Sequence, residues 1–246
     1  MTTKTILILG AKSDIAEAVA YRFAQEGYTI LLAARQAVPY LSPLAADLQL
    51  KYNIVALSIE FDGTNFDEHA AFYSNLKSKP NIVISCFGYL GEQKKAETNI
   101  EETLNIINTN YLGHISILNS VANDFERRKE GTIIGISSVA GERGRQSNYL
   151  YGSAKAGFTA YLGGLRNRLY PNNVHVMTVK PGFVRTKMTE GLPLPKSLTA
   201  SPQQVANDIY NGYKKQKNTI YVLPIWRYIL LIIRNIPEFI FKRLHL

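Results

Sequence analysis

The chain has a single cysteine, Cys86, in 246 residues. No intrachain disulfide can staple it, and the expected compartment is reducing and cytoplasmic. No apolar run approaches the ~20 residues that a spanning helix needs. The opening MTTKT runs directly into an apolar strand pattern, so a signal peptide is not expected. Low-complexity tracts, internal repeats and linkers are missing as well. With 46% hydrophobic residues, the chain reads as one folded domain with a sizeable core.

Histidine is scarce. His69, His114, His175 and His245 lack the spacing of a ligand set, so each reads as a packing or solvated residue and no metal is expected. Acid is also short: 19 carboxylates face 28 Lys and Arg, a formal charge of +9. No nucleic-acid motif accompanies that charge, so no nucleic-acid partner is expected. A basic surface, or attraction to phosphate-bearing cofactors and substrates, accounts for it. The excess is concentrated at the end of the chain, where Lys214, Lys215, Lys217, Arg227, Arg234, Lys242 and Arg243 meet one acid, Glu238.

What is present is alternation. Apolar strand patterns cover residues 5–9, 29–34, 55–59, 81–85, 132–137 and 175–179, with a further candidate at 219–223. Helical spacing fills the gaps, notably over 14–26, 100–125 and 151–169. Continuous apolar strands between helices predict an α/β fold: a single Rossmann-type, doubly wound parallel sheet with helices on both faces. It would occupy residues 1–224, with 225–246 as an apolar and basic extension. Ligands of such sheets bind at the carboxyl ends of the strands. Ser13, Arg35, Asp62, Gly88, Ser138 and Pro181 each follow a strand pattern and are expected along one edge.

The stretch Leu9-Gly10-Ala11-Lys12-Ser13-Asp14-Ile15-Ala16 has the strand, turn and helix of a nucleotide site. Only Gly10 survives of the three expected glycines. Asp14 stands at the second position and Ala16 at the third, where close helix–strand packing tolerates alanine. A carboxylate at Asp14 would repel a pyrophosphate unless it caps the helix instead, leaving backbone N–H groups for the phosphates. Ser13 could then donate to a phosphate.

Tyr151 and Lys155 lie four apart and share a helix face. An ammonium beside a phenol stabilises phenolate and lowers its pKa from ~10, which would make a general acid/base. A plain surface pair is the alternative. Ser138 ends a strand pattern and Asn110 sits in a helical one; alone they read equally as a capping serine and a helix-surface asparagine.

Together, the Gly10 turn, Asn110, Ser138, Tyr151-Gly152-Ser153-Ala154-Lys155 and Pro181-Gly182-Phe183-Val184-Arg185-Thr186 resemble the short-chain dehydrogenase/reductase family, from Lys4 to about Leu223. The resemblance implies a nicotinamide-dependent oxidoreductase. Tyr151 would protonate the carbonyl oxygen and Ser138 would hydrogen-bond it. Lys155 would hold the nicotinamide ribose and depress the Tyr151 pKa, and Asn110 would keep a water in the proton relay. Gly10, Ser13, Asp14, Ile15, Arg35, Asp62, Ser85, Gly88, Tyr151, Lys155, Pro181, Gly182 and Thr186 would line the cofactor. NAD-specific members carry an acid at the end of the second strand. Here Ala34 is followed by Arg35, which favours a 2′-phosphate and so NADP(H), with Lys12 assisting; a solvated loop residue is the alternative for Arg35.

Cys86-Phe87-Gly88-Tyr89-Leu90-Gly91-Glu92-Gln93 resembles a narrower group, which includes the decaprenyl-phosphoryl-2-ketopentose reductases. That implies a polyprenyl-phosphate-linked ketosugar as substrate. A small ketone or 3-oxoacyl substrate, or a nucleotide-binding subunit without turnover, are the alternatives. Gly163-Gly164 would admit a helix–helix subunit contact, so a homo-oligomer is expected. The tail from Ile225, with Trp226 and Tyr228 among Arg and Lys, suits either a membrane interface or packing against the sheet or a second subunit.

Overall fold

The computed structural model describes residues 4–244. Met1 to Thr3 of the opening stretch, and His245, lie outside them. The order is β1 (Thr5–Leu9), α1 (Asp14–Ala24), β2 (Thr29–Ala34), α2 (Ala37–Tyr52), β3 (Ala56–Glu60), α3 (His69–Ser74), β4 (Ile82–Ser85), α4 (Gln93–Ala96) and α5 (Ile100–Ile107). It continues with α6 (Gly113–Arg128), β5 (Gly131–Ile136), α7 (Tyr149–Leu169), β6 (Val174–Lys180), β7 (Phe183–Val184), β8 (Thr199–Ala200), α8 (Pro202–Lys214), β9 (Thr219–Tyr221), α9 (Ile225–Asn235) and α10 (Glu238–Phe241).

Seven strands form one sheet in the order β3-β2-β1-β4-β5-β6-β9, every pair parallel. The order reverses between β1 and β4, and a crevice opens at such a switch point beyond the carboxyl ends of the strands. The two-residue strands β7 and β8 pair beside it.

Side-chain parity builds the two layers. Ile6 and Ile8 of β1 pack with Val19 and Phe23 of α1 and with Val205 and Ile209 of α8. Leu7 and Leu9 point the other way, into Val121 and Phe125 of α6 and Phe158 and Leu162 of α7. Both parities are apolar because both faces are covered. Each such side chain contributes about 1.5–3 kcal/mol of burial.

One expectation changes, and the tail takes one of the placements open to it. The helical pattern over 100–125 is not one helix: a π-helical turn at Asn108–Leu112 separates α5 from α6. Hydrophobic period cannot register one extra residue in a turn, but the Asn110 carboxamide can hold it, donating to the Ile106 carbonyl at 2.8 Å. The residues from Ile225 also join the body. Trp226 and Leu230 of α9 are buried against Val139, and Arg143 donates to the carbonyls of Ile233 and Ile236 and to Glu238. Among the described residues, no helix is long and apolar enough to cross a membrane.

Candidate active site

Gly10 adopts φ +83°, and a Cβ there would lie 2.6 Å from the Phe87 amide nitrogen. The surviving glycine is therefore required by its backbone and by the close approach of the loop after β4. Ser13 is the N-cap of α1, extended at φ −79° and ψ 145°, with its Oγ accepting from the Ala16 amide at 3.2 Å. The expectation that Asp14 caps this helix is corrected. Asp14 already has helical geometry, and its carboxylate accepts from the Lys187 amide at 2.7 Å. The charge is turned away toward the segment after β7. The first amides of α1 have no intrahelical acceptors.

Two hollows flank this turn. One, of about 270 Å³, is lined by Asp14, Ile15, Ser138, Tyr151, Lys155, Pro181, Gly182 and Thr186, and on its apolar side by Leu90, Val139, Phe183, Met188, Leu192 and Trp226. The other, of about 280 Å³, is lined by Gly10, Ala34, Arg35, Asp62, Gly63 and Thr64. Lys12, Ser13, Phe87 and Gly88 line both, so the two adjoin at the switch point. The cleft suits an extended ligand with phosphates at its middle and a cation-lined end at Arg35.

In the first hollow, Ser138 Oγ accepts from the Ala140 amide at 3.0 Å, which fixes the serine at the end of β5. Burial pushes the Tyr151 phenol up to about 12, while the adjacent Ser138 hydroxyl draws it down. Lys155 is 3% exposed. Its Nζ donates to the Ile136 carbonyl at 3.1 Å and lies 5.8 Å from the centroid of the Tyr151 ring. Burial pulls the ammonium down to about 8. The expected depression of the phenol by Lys155 is thus corrected for this geometry. Desolvation of the phenol, half-buried in the wall of the hollow, is what dominates its proton affinity.

Asn110 and Ser85 are fully buried and do not line the two hollows. Asn110 Nδ2 donates to the carbonyls of Ile106 and Tyr89, and its Oδ1 accepts from the Tyr89 amide at 3.2 Å. It holds the loop carrying Gly88 from beneath; the geometry brings no free donor of Asn110 to a water in the cleft. Ser85 Oγ lies 2.7 Å from His114 Nδ1. The imidazole is stacked between Phe87 and Phe158, with centroids 4.0 and 4.2 Å away. Asp62 accepts from the amide and hydroxyl of Thr64. Burial pushes its carboxyl upward, but these donors, with Arg35 and His69, hold it below the usual carboxylate range. Lys12 lies 3.6 Å over the Tyr40 ring.

Three contributions escape a sequence reading. Glu60, at the end of β3, accepts from the amides of Gln36 and Ala37 at 2.8 and 2.9 Å and caps α2 across the strand boundary. Trp226, from the C-terminal extension, forms a wall of the cleft, its Nε1 donating to the Leu198 carbonyl at 3.2 Å. A Cβ on Gly182 would overlap the indole, so that glycine serves the approach of α9. Glu142, just past Ser138, gathers Lys180, Tyr221 and Arg234. Only the aromatic content of the tail hinted at any of these. Among the described residues, no group of three His, Cys, Asp or Glu could hold a metal ion.

The short chain dehydrogenase family model matches residues 4–196. An uncharacterised oxidoreductase of Mycobacterium tuberculosis is 32% identical over 242 residues, covering 97% of this chain and 96% of that protein. A short-chain dehydrogenase from Sphingobium yanoikuyae, solved in complex with NADPH, superposes with a TM-score of 0.81 at 23% identity, covering 96% of this chain and 97% of that one. The bulky-bulky ketone specific alcohol dehydrogenase from Comamonas testosteroni superposes with a TM-score of 0.80 at 22% identity, over 97% and 96% of the two chains. The chain belongs to the short-chain dehydrogenase family, a family of oxidoreductases.

Proposed function

We propose that this protein is an NADP(H)-dependent reductase acting on the carbonyl of a ketone. The observation that carries the reading is the pair of adjoining hollows at the switch point, with Ser138, Tyr151 and Lys155 in one and Arg35 and Asp62 in the other. The NADPH complex of the Sphingobium relative supports the choice of cofactor. The ketone specificity of the Comamonas enzyme supports the substrate class.

When bound, NADPH supplies the hydride that reduces the carbonyl carbon. The turn from Gly10 to Ile15 places the first α1 amides at the pyrophosphate, and the carboxylate of Asp14, engaged by Lys187, does not oppose it. Tyr151 keeps its proton through neutral pH and gives it to the oxygen as negative charge grows there. The Ser138 hydroxyl donates a hydrogen bond to the same oxygen. Lys155 steadies the charge left on the phenol and holds the ribose. Pro181, Gly182 and Thr186 close the nicotinamide end, while Asn110 and Ser85 act from beneath as positioning residues.

Arg35, with Ala34 in place of an acid, selects the 2′-phosphate. NADPH is expected to bind more tightly than NADH, and Arg35→Ala to cut the gap by about 10- to 100-fold, the equivalent of one charge-assisted contact. Fluorescence titration with both cofactors measures it; tighter NADH binding in the wild type would overturn the assignment. Turnover itself is read from loss of NADPH absorbance with a series of bulky ketones. A protein that binds NADPH and reduces none of them would favour the nucleotide-binding subunit without turnover.

The wall of Leu192, Phe183, Met188 and Trp226 favours a second reading of the substrate, a ketosugar linked to a polyprenyl phosphate. A kcat/KM for such a lipid-linked sugar no higher than for a small ketone would remove it. Pairing of two copies through α7 belongs to the same proposal, since a Cβ on Gly163 or Gly164 would meet nothing within 4 Å.

A further inference from the structure

We propose that the outer face of α9, extended by α10, docks on the surface of a lipid bilayer bearing anionic headgroups. This inference stands on the C-terminal segment itself and does not depend on the reaction.

The helix α9 is apolar on two opposite sides. Trp226 and Leu230 point inward and are 4% and 2% exposed. Tyr228, Leu231 and Ile232 are 64%, 62% and 68% exposed. At 3.6 residues per turn these three share one outer face with the exposed Ile225, opposite Trp226 and Leu230. Beyond Pro237, Phe239 and Ile240 are exposed too. Single exposed hydrophobics are ordinary, but a contiguous set of this kind marks an interaction surface.

Charge selects the occupant. Arg227 borders the outer face, and Lys242 and Arg243 follow α10, all exposed. The acid in this segment, Glu238, is engaged by Arg143 at 2.8 Å. Arg234, though exposed, turns back to Glu142 at 3.0 Å and its charge is paired there. A second copy packed symmetrically on this face would place the cations Arg227, Lys242 and Arg243 in one interface twice over, while the one acid of the segment, Glu238, is already engaged by Arg143. A bilayer matches both components: acyl chains for the apolar face and phosphates for its cationic edge. A helix of this length, about 16 Å, lies in the interface and does not span it.

The consequence follows from Trp226. One side of α9 meets lipid while Trp226 on the other walls the cleft, so docking holds that wall of the cleft beside the membrane surface.

The test is co-sedimentation of the full-length protein with vesicles of phosphatidylcholine, alone or mixed with phosphatidylglycerol, at low and high salt. Sedimentation without lipid gives the oligomeric state in parallel. The wild type is expected to pellet with the mixed vesicles and to dissociate as salt screens the cations. Leu231→Glu combined with Ile232→Glu is expected to weaken this binding by about tenfold or more, because two apolar contacts are replaced by charge. Arg227→Gln is expected to weaken it by about fivefold. The melting temperature and NADPH titration of these variants should match the wild type, since all three side chains are exposed. The proposal is overturned by a wild type that stays in the supernatant at low salt, by equal binding to both vesicle types, or by a double variant that pellets as well as the wild type. A double variant that changes oligomeric state while the wild type ignores vesicles would assign the face to a second copy instead.

Discussion

Tyr151→Phe is expected to lower turnover by about 10²–10⁴-fold while NADPH still binds. The substitution keeps the aromatic ring, which lines the cleft beside Ser138, and removes only the hydroxyl that gives up a proton. The pH dependence carries the signature. With the phenol pushed up to about 12, the acid needed for carbonyl reduction is protonated throughout the neutral range. Reduction should therefore show no loss from this group until strongly alkaline pH. The reverse reaction requires phenolate, so alcohol oxidation should rise with pH over the same range. Single-turnover measurements in both directions, with cofactor titration of the variant, check this. Wild-type turnover in the phenylalanine variant would remove Tyr151 from the chemistry.

Lys155→Met is expected to move activity and stability in opposite directions. Turnover should fall by about 10²-fold or more, because a fixed cation near the developing charge is lost from a site sheltered from water. Stability at pH 7 should rise. Burial lowers the folded-state pKa from 10.5 to about 8, so the unfolded chain binds more protons between those values. The charged lysine then destabilises the fold in full below pH 8, and this cost fades as pH rises to 10.5. Its size is about 3 kcal/mol, from which roughly 1 kcal/mol is subtracted for the lost hydrogen bond to Ile136. The methionine variant should gain about 2 kcal/mol at pH 7 and lose its advantage above pH 10.5. Denaturant melts at several pH values, run beside the turnover assay, test both arms. A variant less stable than the wild type at pH 7 would show that Lys155 is held by favourable contacts and not strained by burial.

The sheet and much of its functional edge are legible in the residues alone. β1 and β2 fall on the residues their apolar runs marked, because a strand covered on both faces must be apolar at both parities. Ser13, Arg35, Asp62, Gly88, Ser138 and Pro181 line the cleft because each follows a strand and the parallel order aligns the strand ends. Tyr151 and Lys155 enter the same hollow because a helix places residues four apart on one side. The remaining features involve partners distant in the chain or the degree of desolvation, neither of which local pattern encodes. Asp14 answers to Lys187 and not to its own helix. Glu60 caps a helix that begins after another strand. Asn110 and Ser85 were legible as residue types, but their burial beneath the cleft depends on a π-turn and on the stacked His114. Trp226 becomes a wall of the cleft only because Gly182 lets its indole approach. The proton affinity of Tyr151 belongs with these: spacing places a cation on the right side of the helix, but only packing sets how much water the phenol loses.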